Sequence, residues 1–245
     1  MDNNTFMKIK ILLSSLLISS FSWGQISTDR PDQTEASVVL PKNMLQIESG
    51  VIFQDEEVFN TLFRYGISEK FELRLNINYL QLDSPDGLNI PSPRFGDIEI
   101  GAKIQIFKSL ESLTSIAFLT HLSLPTASKY YTNGGYGTLN RFLISHDLSD
   151  TFSIGYNLGY NKIYGQKGLF VYTLALAKSI NSWGVYAELY GEEAKGDSQF
   201  NFDAGLTYLI KDSFQLDISF GEGINNELSY FSLGASWNYN LKKTN

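Results

Sequence analysis

The feature that most narrows the fold of this chain is a strict alternation of apolar and polar residues, recurring from residue 43 almost to the C-terminus. In "FGDIEIGAKIQIF" (95–107), Ile98, Ile100, Ala102, Ile104 and Ile106 share one parity, and Asp97, Glu99, Gly101, Lys103 and Gln105 the other. Phe71, Leu73, Leu75, Ile77 and Tyr79 oppose Glu72, Arg74, Asn76 and Asn78 in the same way, and Phe214, Leu216, Ile218 and Phe220 oppose Gln215, Asp217 and Ser219. "TFSIGYNLGY" (151–160) sets Phe152, Ile154, Tyr156, Leu158 and Tyr160 against Ser153, Gly155, Asn157 and Gly159. A period of two marks a β-strand with one greasy and one polar face, because successive side chains leave opposite sides of the pleat. The pattern predicts twelve strands, at 43–54, 57–67, 71–82, 95–107, 113–123, 138–147, 151–161, 168–178, 183–192, 199–210, 213–222 and 228–240. Most have 10 to 13 residues, close to the roughly 9–11 that a tilted strand needs to cross a hydrocarbon layer.

What the greasy faces touch decides the class. Turned inward, they would give a soluble lipocalin-like barrel, but such barrels close with about eight strands around one small ligand. Turned outward, they form a lipid-facing band, and Tyr79, Tyr156, Tyr160, Trp183, Trp237 and Tyr239 fall near strand ends, where interfacial aromatic girdles sit. The connections sort by parity as well. "SEK", "KSLES", "LSD", "SINS" and "KD" are short, whereas "SPDGLNIPSPR", "LPTASKYYTNGGYGT", "KIYGQKG", "EEAKGDSQ" and "EGINNE" are longer, with a tight "DEE" the exception among the second set. Short periplasmic turns and longer outer loops are the habit of bacterial outer-membrane barrels. The expected fold is all-β, a transmembrane antiparallel up-and-down barrel of about 12 strands with both ends on the periplasmic side.

The N-terminus supplies the route of export. Lys8 and Lys10 precede the apolar run "ILLSSLLISSF", and Ser22 and Gly24 are small residues placed for cleavage after Gly24. That run is about half of the roughly 20 residues a spanning helix needs. Residues 1–24 are therefore expected to be a cleaved signal peptide, 25–42 a periplasmic or plug-like segment, and 43–241 a barrel in the outer membrane of a Gram-negative cell. In hydrocarbon the sheet must close, because an open edge leaves backbone groups unpaired.

Several function classes are disfavoured. The net charge is −7 with no basic patch, which argues against nucleic acid as a partner. Cysteine is absent, so thiolate metal sites and disulfides are excluded. Two separated histidines and scattered carboxylates show no ligand spacing, and "QLDSPDGLN" lacks an EF-hand pattern, so no metal or other cofactor is expected. Some twelve-stranded outer-membrane barrels hydrolyse lipid, but His121 is expected in the lumen and His146 at the periplasmic end. Neither suits a base at the outer rim facing lipid, and no Gly-x-Ser-x-Gly elbow is present. A structural or adhesive barrel, acting through Tyr130, Tyr131 and Tyr136 of its Gly-rich loop, is the alternative to a channel.

With greasy faces outward, the lumen-lining charges are Glu48, Arg64, Glu72, Arg74, Asp97, Glu99, Lys103, Arg141, Glu188, Asp203 and Asp217, seven acids to four bases. Most are expected to pair across neighbouring strands, since buried charges need partners. The alternative is a mildly cation-preferring passage tuned by rings of side chains. "STDRPDQTEAS" is too polar and irregular for a strand; it either folds into the lumen as a plug, with Arg30 pairing an acidic wall residue, or hangs in the periplasm. Ser153, Gly155, Asn157 and Gly159 make the least bulky wall, and room for solute is expected beside them. In the last strand, Gly234, Trp237 and Tyr239 follow an order that resembles the C-terminal signal read by the barrel-assembly machinery.

Residues 28–50, "TDRPDQTEASVVLPKNMLQIESG", together with "FGDIEIGAKIQIF" and "LSLPTAS" (122–128), resemble the MetA-pathway of phenol degradation family of outer-membrane proteins. The resemblance rests on Asp29, Arg30, Pro31, Thr34, Glu35, Gln46, Glu48 and Gly50, then Gly96, Asp97, Gly101 and Lys103; Ala127 departs from a Leu-Pro-Thr-Gly pattern. It implies a barrel in outer-membrane lipid that passes small solutes, hydrophobic or aromatic ones among them, and it implies no enzymatic activity.

Overall fold

The computed structural model describes residues 25–54, 57–81, 94–109, 111–129 and 131–242. The regular elements are β1 (Met44–Phe53), β2 (Glu57–Ser68), β3 (Phe71–Gln81), β4 (Arg94–Phe95), β5 (Ile98–Ser109), β6 (Thr114–Leu124), β7 (Gly137–Ser149), β8 (Phe152–Lys162), β9 (Leu169–Ile180), β10 (Trp183–Ala194), β11 (Asp197–Lys211), β12 (Phe214–Gly223) and β13 (Ser229–Asn240). Each strand pairs antiparallel with its neighbour, and β1 closes on β13 from Met44↔Asn240 to Phe53↔Phe231. β4 and β5 lie along the same side of β3, separated by Gly96 and Asp97, so the barrel has twelve staves. The expected signal peptide, the loop at 82–93 and Tyr130 lie outside the described residues.

Burial identifies the two faces. Arg64, Lys103, Glu48 and Glu72 are fully buried, while Leu174, Leu176, Leu206, Leu216 and Ile218 are exposed on the other parity. A water-soluble protein sorts these side chains the opposite way. The exposed apolar belt is therefore the lipid-facing surface of a transmembrane barrel. Trp183 packs on Tyr208 at 4.6 Å and Trp237 on Tyr239 at 6.0 Å near one end, and Tyr79 packs on Phe95 at 5.2 Å near the other. Amphipathic rings at both ends match the two interfaces.

At the end where β1 begins and β13 stops, short turns join β2 to β3, β5 to β6, β7 to β8, β9 to β10 and β11 to β12. Register shifts sit beside four of these turns, at Gly66/Ser68, Gln105/Phe107, Asp147/Ser149 and Leu209/Lys211. Such bulges turn a strand sharply at a barrel rim. One expected loop is corrected. "EEAKGDSQ" is not a loop: β10 and β11 stay paired from Trp183↔Tyr208 to Ala194↔Asp197. Lys195 (φ 49) and Gly196 (φ 87) make a two-residue turn with both residues left-handed, the backbone twist that suits a tight hairpin.

The lipid-facing assignment gives a test. Leu174 lies mid-strand, opposite Leu189 and Tyr156. Leu174→Arg is expected to destabilise the barrel in lipid vesicles by about 2–4 kcal/mol, read as a lower urea midpoint at unchanged slope. On a soluble surface the same change would be close to neutral.

Candidate functional site

Residues 25–43 run inside the barrel as an irregular hairpin entering from the short-turn end. Near that end Thr207 Oγ1 donates to Gln25 Oε1 at 2.9 Å. The chain then reaches the middle of the lumen at Asp29 to Glu35 and returns past Ser37, whose carbonyl accepts from Gln105 Nε2 at 3.0 Å. The segment needs no sheet of its own because wall side chains take its backbone amides. Those of Ile26, Asp29, Gln33, Glu35, Val39 and Leu40 donate to Gln215, Glu48, Glu188, Asn157, Gln105 and Glu72, at 2.7 to 3.2 Å. Gly66 lets the segment leave, since a Cβ there would overlap the carbonyl of Pro41.

Asp29 is the charge centre. Its Oδ2 lies 2.7 Å from Arg74 Nη1, 3.1 Å from Lys103 Nζ and 3.3 Å from Arg64 Nη1, and its Oδ1 accepts from the amide of Ala36 at 2.6 Å. Burial alone would raise the Asp29 pKa; the three cations outweigh it and hold the carboxyl well below the usual carboxylate range. Arg64 is also paired across neighbouring strands with Glu48 at 2.9 Å and Glu72 at 2.8 Å. Glu35 lies 3.0 Å from Arg74 and 3.6 Å from Arg141.

Across the lumen the signs reverse. Arg30 Nη2 lies 3.1 Å from Asp217 Oδ1 and donates to Ser232 Oγ at 2.8 Å. Its guanidinium rests on two glycines that face each other, Gly50 and Gly234. A Cβ on Gly234 would stand 2.6 Å from Arg30 Nε and 2.7 Å from Asp217 Oδ1. Glu188 accepts from Thr34 Oγ1 at 2.5 Å as well as from the amide of Gln33. Asp203, opposite Glu188 in register, accepts from Tyr230 OH at 2.6 Å. All four wall cations thus share one arc, Arg64, Arg74, Lys103 and Arg141 on β2, β3, β5 and β7 with Glu48, Glu72 and Glu99 among them, while Glu188, Asp203 and Asp217 stand on β10 to β12.

Two expectations about the lumen are corrected. Asp97 does not pair within the wall: at the break between β4 and β5 it accepts from the amides of Ala127 and Asn133 at 3.0 and 2.8 Å, tethering loop 125–136. The smooth wall of β8, Ser153 to Gly159, is filled by the segment at Gly155 and Asn157, and only Ser153 of it borders a cavity. Asn157 grips the backbone of Glu35 from both sides, and Thr34 Cγ2 would lie 3.3 Å from a Cβ on Gly155. Glu99 pairs with His121 Nδ1 at 3.0 Å, while His146 lies on the outer face with Thr114 and Tyr156. Trp237 and Tyr239 point outward, whereas Gly234 faces the lumen under Arg30. Sequence reasoning missed Asn157, Gln105, Gln215 and Gly50 as the seat of the segment; uncharged polar and glycine residues recurring on the lumen parity were the available signal.

The segment divides the lumen. Toward the outer end lie cavities of about 240 Å³, with Arg74, Leu119 and Arg141 in its wall, and about 300 Å³, with Tyr190, Asn201 and Tyr230. Toward the short-turn end lies one of about 360 Å³, with Gln25, Asp32 and Asp147. Arg30 lines both the first and the last.

A family model matches residues 28–241, from the lumenal segment through β13. The chain belongs to the family described as "Putative MetA-pathway of phenol degradation". No curated protein matches this family member. Among solved structures it is similar in fold to the KdgM porin, with TM-score 0.62 and 12% identity over 79% of this chain and 99% of that one. It is also similar to the COG4313 outer membrane channel from Pseudomonas putida F1, with TM-score 0.59 and 9% identity over 82% and 97%. The NanC porin gives TM-score 0.56 and 11% identity over 80% and 100%.

For this member of the phenol-degradation family, removing one partner from the charge centre is expected to free the segment, since breaking a buried ion pair costs about 3–5 kcal/mol. Asp29→Asn should open residues 25–42 to proteinase K, read by mass spectrometry, with the barrel still resistant. Gly234→Ala should do the same in smaller measure, because its Cβ displaces only side-chain ends.

Proposed function

We propose that this protein is an outer-membrane channel for small solutes, hydrophobic or aromatic ones among them, crossing by passive diffusion, and that residues 25–42 are its plug. The observation that carries this reading is a polar lumen with cavities on both sides of Asp29 to Glu35, with Arg30 of the segment lining both. The fold shared with porins and the family membership support it. Asp29, Arg30 and Glu35 latch the plug to both arcs of the wall, and Pro31 sets its irregular path. The wall charges tune passage: the four cations face the three acids across the lumen, a transverse arrangement that differs from a cation-preferring ring. Residues 1–24 direct export, and outer-membrane lipid surrounds the belt. Trp237 and Tyr239, outward on the last strand with Gly234 between its neighbours, are the features the barrel-assembly machinery reads. The exposed loops are secondary to the pore, and the protein is not an enzyme.

The test is swelling of proteoliposomes in a panel of sugars, amino acids and aromatic compounds, for the mature protein and for a variant lacking residues 25–42. The shortened variant is expected to swell markedly faster while keeping the heat-dependent gel shift of a native barrel. Equal rates in a folded variant would refute the plug, and an impermeable shortened barrel would refute the channel.

A further inference from the structure

The outer cavity of about 240 Å³ is lined by apolar and charged side chains side by side, Leu62, Leu119 and Leu139 among them with Arg74 and Arg141, and Leu119 stands directly opposite Arg141 in register. Both arginines converge on a single carboxylate, that of Glu35, which belongs to the lumenal segment and not to the wall. The remaining acids at the cavity have partners of their own: Asp29 is held by Arg64 and Lys103 as well as Arg74, and Glu99 by His121. Arg74 is 4% exposed, and its Nε makes no hydrogen bond among the described residues; the same holds for Arg141 Nε. Arg141 is the most open of the four wall cations, with 22% of its side chain exposed, and it lines both outer cavities.

We propose that Arg74 and Arg141 form a subsite for the carboxylate of a small apolar acid, whose hydrocarbon body lies against Leu62, Leu119 and Leu139, and that Glu35 occupies this subsite until solute replaces it. The inference rests on the channel reading and names its solute class. An arginine pair suits a carboxylate because guanidinium presents planar, paired donors. Without Glu35 and Asp29, the wall arc holds four cations against Glu48, Glu72 and Glu99, an excess of one positive charge. Binding of solute in place of Glu35 leaves local charge unchanged while releasing one latch of the segment, so entry and unplugging become one exchange. The volume admits a ring of benzoate size, as a small, mostly preformed site would.

Equilibrium binding of radiolabelled benzoate to the detergent-solubilised mature protein tests this, with benzyl alcohol as the neutral competitor of the same shape. Benzoate is expected to bind and to resist the alcohol. Arg141→Gln should weaken binding by about tenfold, the loss of one charge-assisted hydrogen bond. Glu35→Gln should strengthen it by removing the internal competitor, and since Glu35 is not on the wall, the barrel does not depend on it. Failure of benzoate to bind either wild type or Glu35→Gln overturns the subsite, as does binding indifferent to Arg141→Gln or matched by the alcohol. Fluxes of both compounds into liposomes, run in parallel, separate the two readings. Arg141-dependent binding without any flux would sink the channel and spare the subsite; flux of both compounds without benzoate preference would sink the subsite and spare the channel.

Discussion

Arg64, Arg74 and Lys103 are buried in the inner wall within reach of one another, and buried cations persist only where carboxylates neutralise them. Glu48 and Glu72 from the wall serve Arg64, but Arg74 and Lys103 depend on Asp29. The interior of the barrel is therefore electrostatically incomplete without a segment that precedes its first strand. A twelve-stranded barrel encloses more space than wall side chains fill, and residues 25–43 meet both needs at once. They supply volume to the lumen and two acids to its cationic arc. Arg30 answers the acidic arc through Asp217.

This arrangement explains the wall around it. Where the segment presses hardest the wall recedes to glycine: Gly50 and Gly234 beneath Arg30, Gly155 beside Thr34, Gly66 at the exit of Pro41. Where the segment offers only backbone amides, the wall presents Gln215, Glu48, Glu188, Asn157, Gln105 and Glu72 as acceptors. Polar contacts of this kind satisfy a chain that forms no sheet, and Ile26, Val39 and Leu40 are buried beside them. Such a segment is held by individual directional and ionic contacts, and exchange of one carboxylate for another alters it far more than it alters the barrel, whose strands are joined by continuous ladders.

Much of this was legible in the sequence, and the reasons differ from residue to residue. Parity alone put Glu48, Arg64, Glu72, Arg74, Lys103, Glu188, Asp203 and Asp217 on the inner face, because side-chain direction in a strand depends only on position. Asp97 lies where the strand is interrupted, so parity stopped applying and its carboxylate turned to loop 125–136. "EEAKGDSQ" looked like a loop by composition, but Lys195 and Gly196 alone make the turn, and the flanking polar residues sit on ladders that continue past the expected strand ends. The small side chains of β8 suggested empty space; they mark where another part of the chain packs.

By itself the sequence determined the period of two, and with it the strands, their faces, the apolar belt and the need for a closed sheet. These follow from local geometry and from the solvent each face must meet. Only the tertiary structure decided which charges meet, because their partners lie far apart in the chain: Asp29 and Glu48 are 19 positions apart, Gln33 and Glu188 155, and Ile26 and Gln215 189. Closure of β1 on β13 and the stagger of every strand set those distances in space. The gathering of all four wall cations on one arc, with the N-terminal segment between them and Glu188, Asp203 and Asp217, is a property of the closed barrel that no single strand carries.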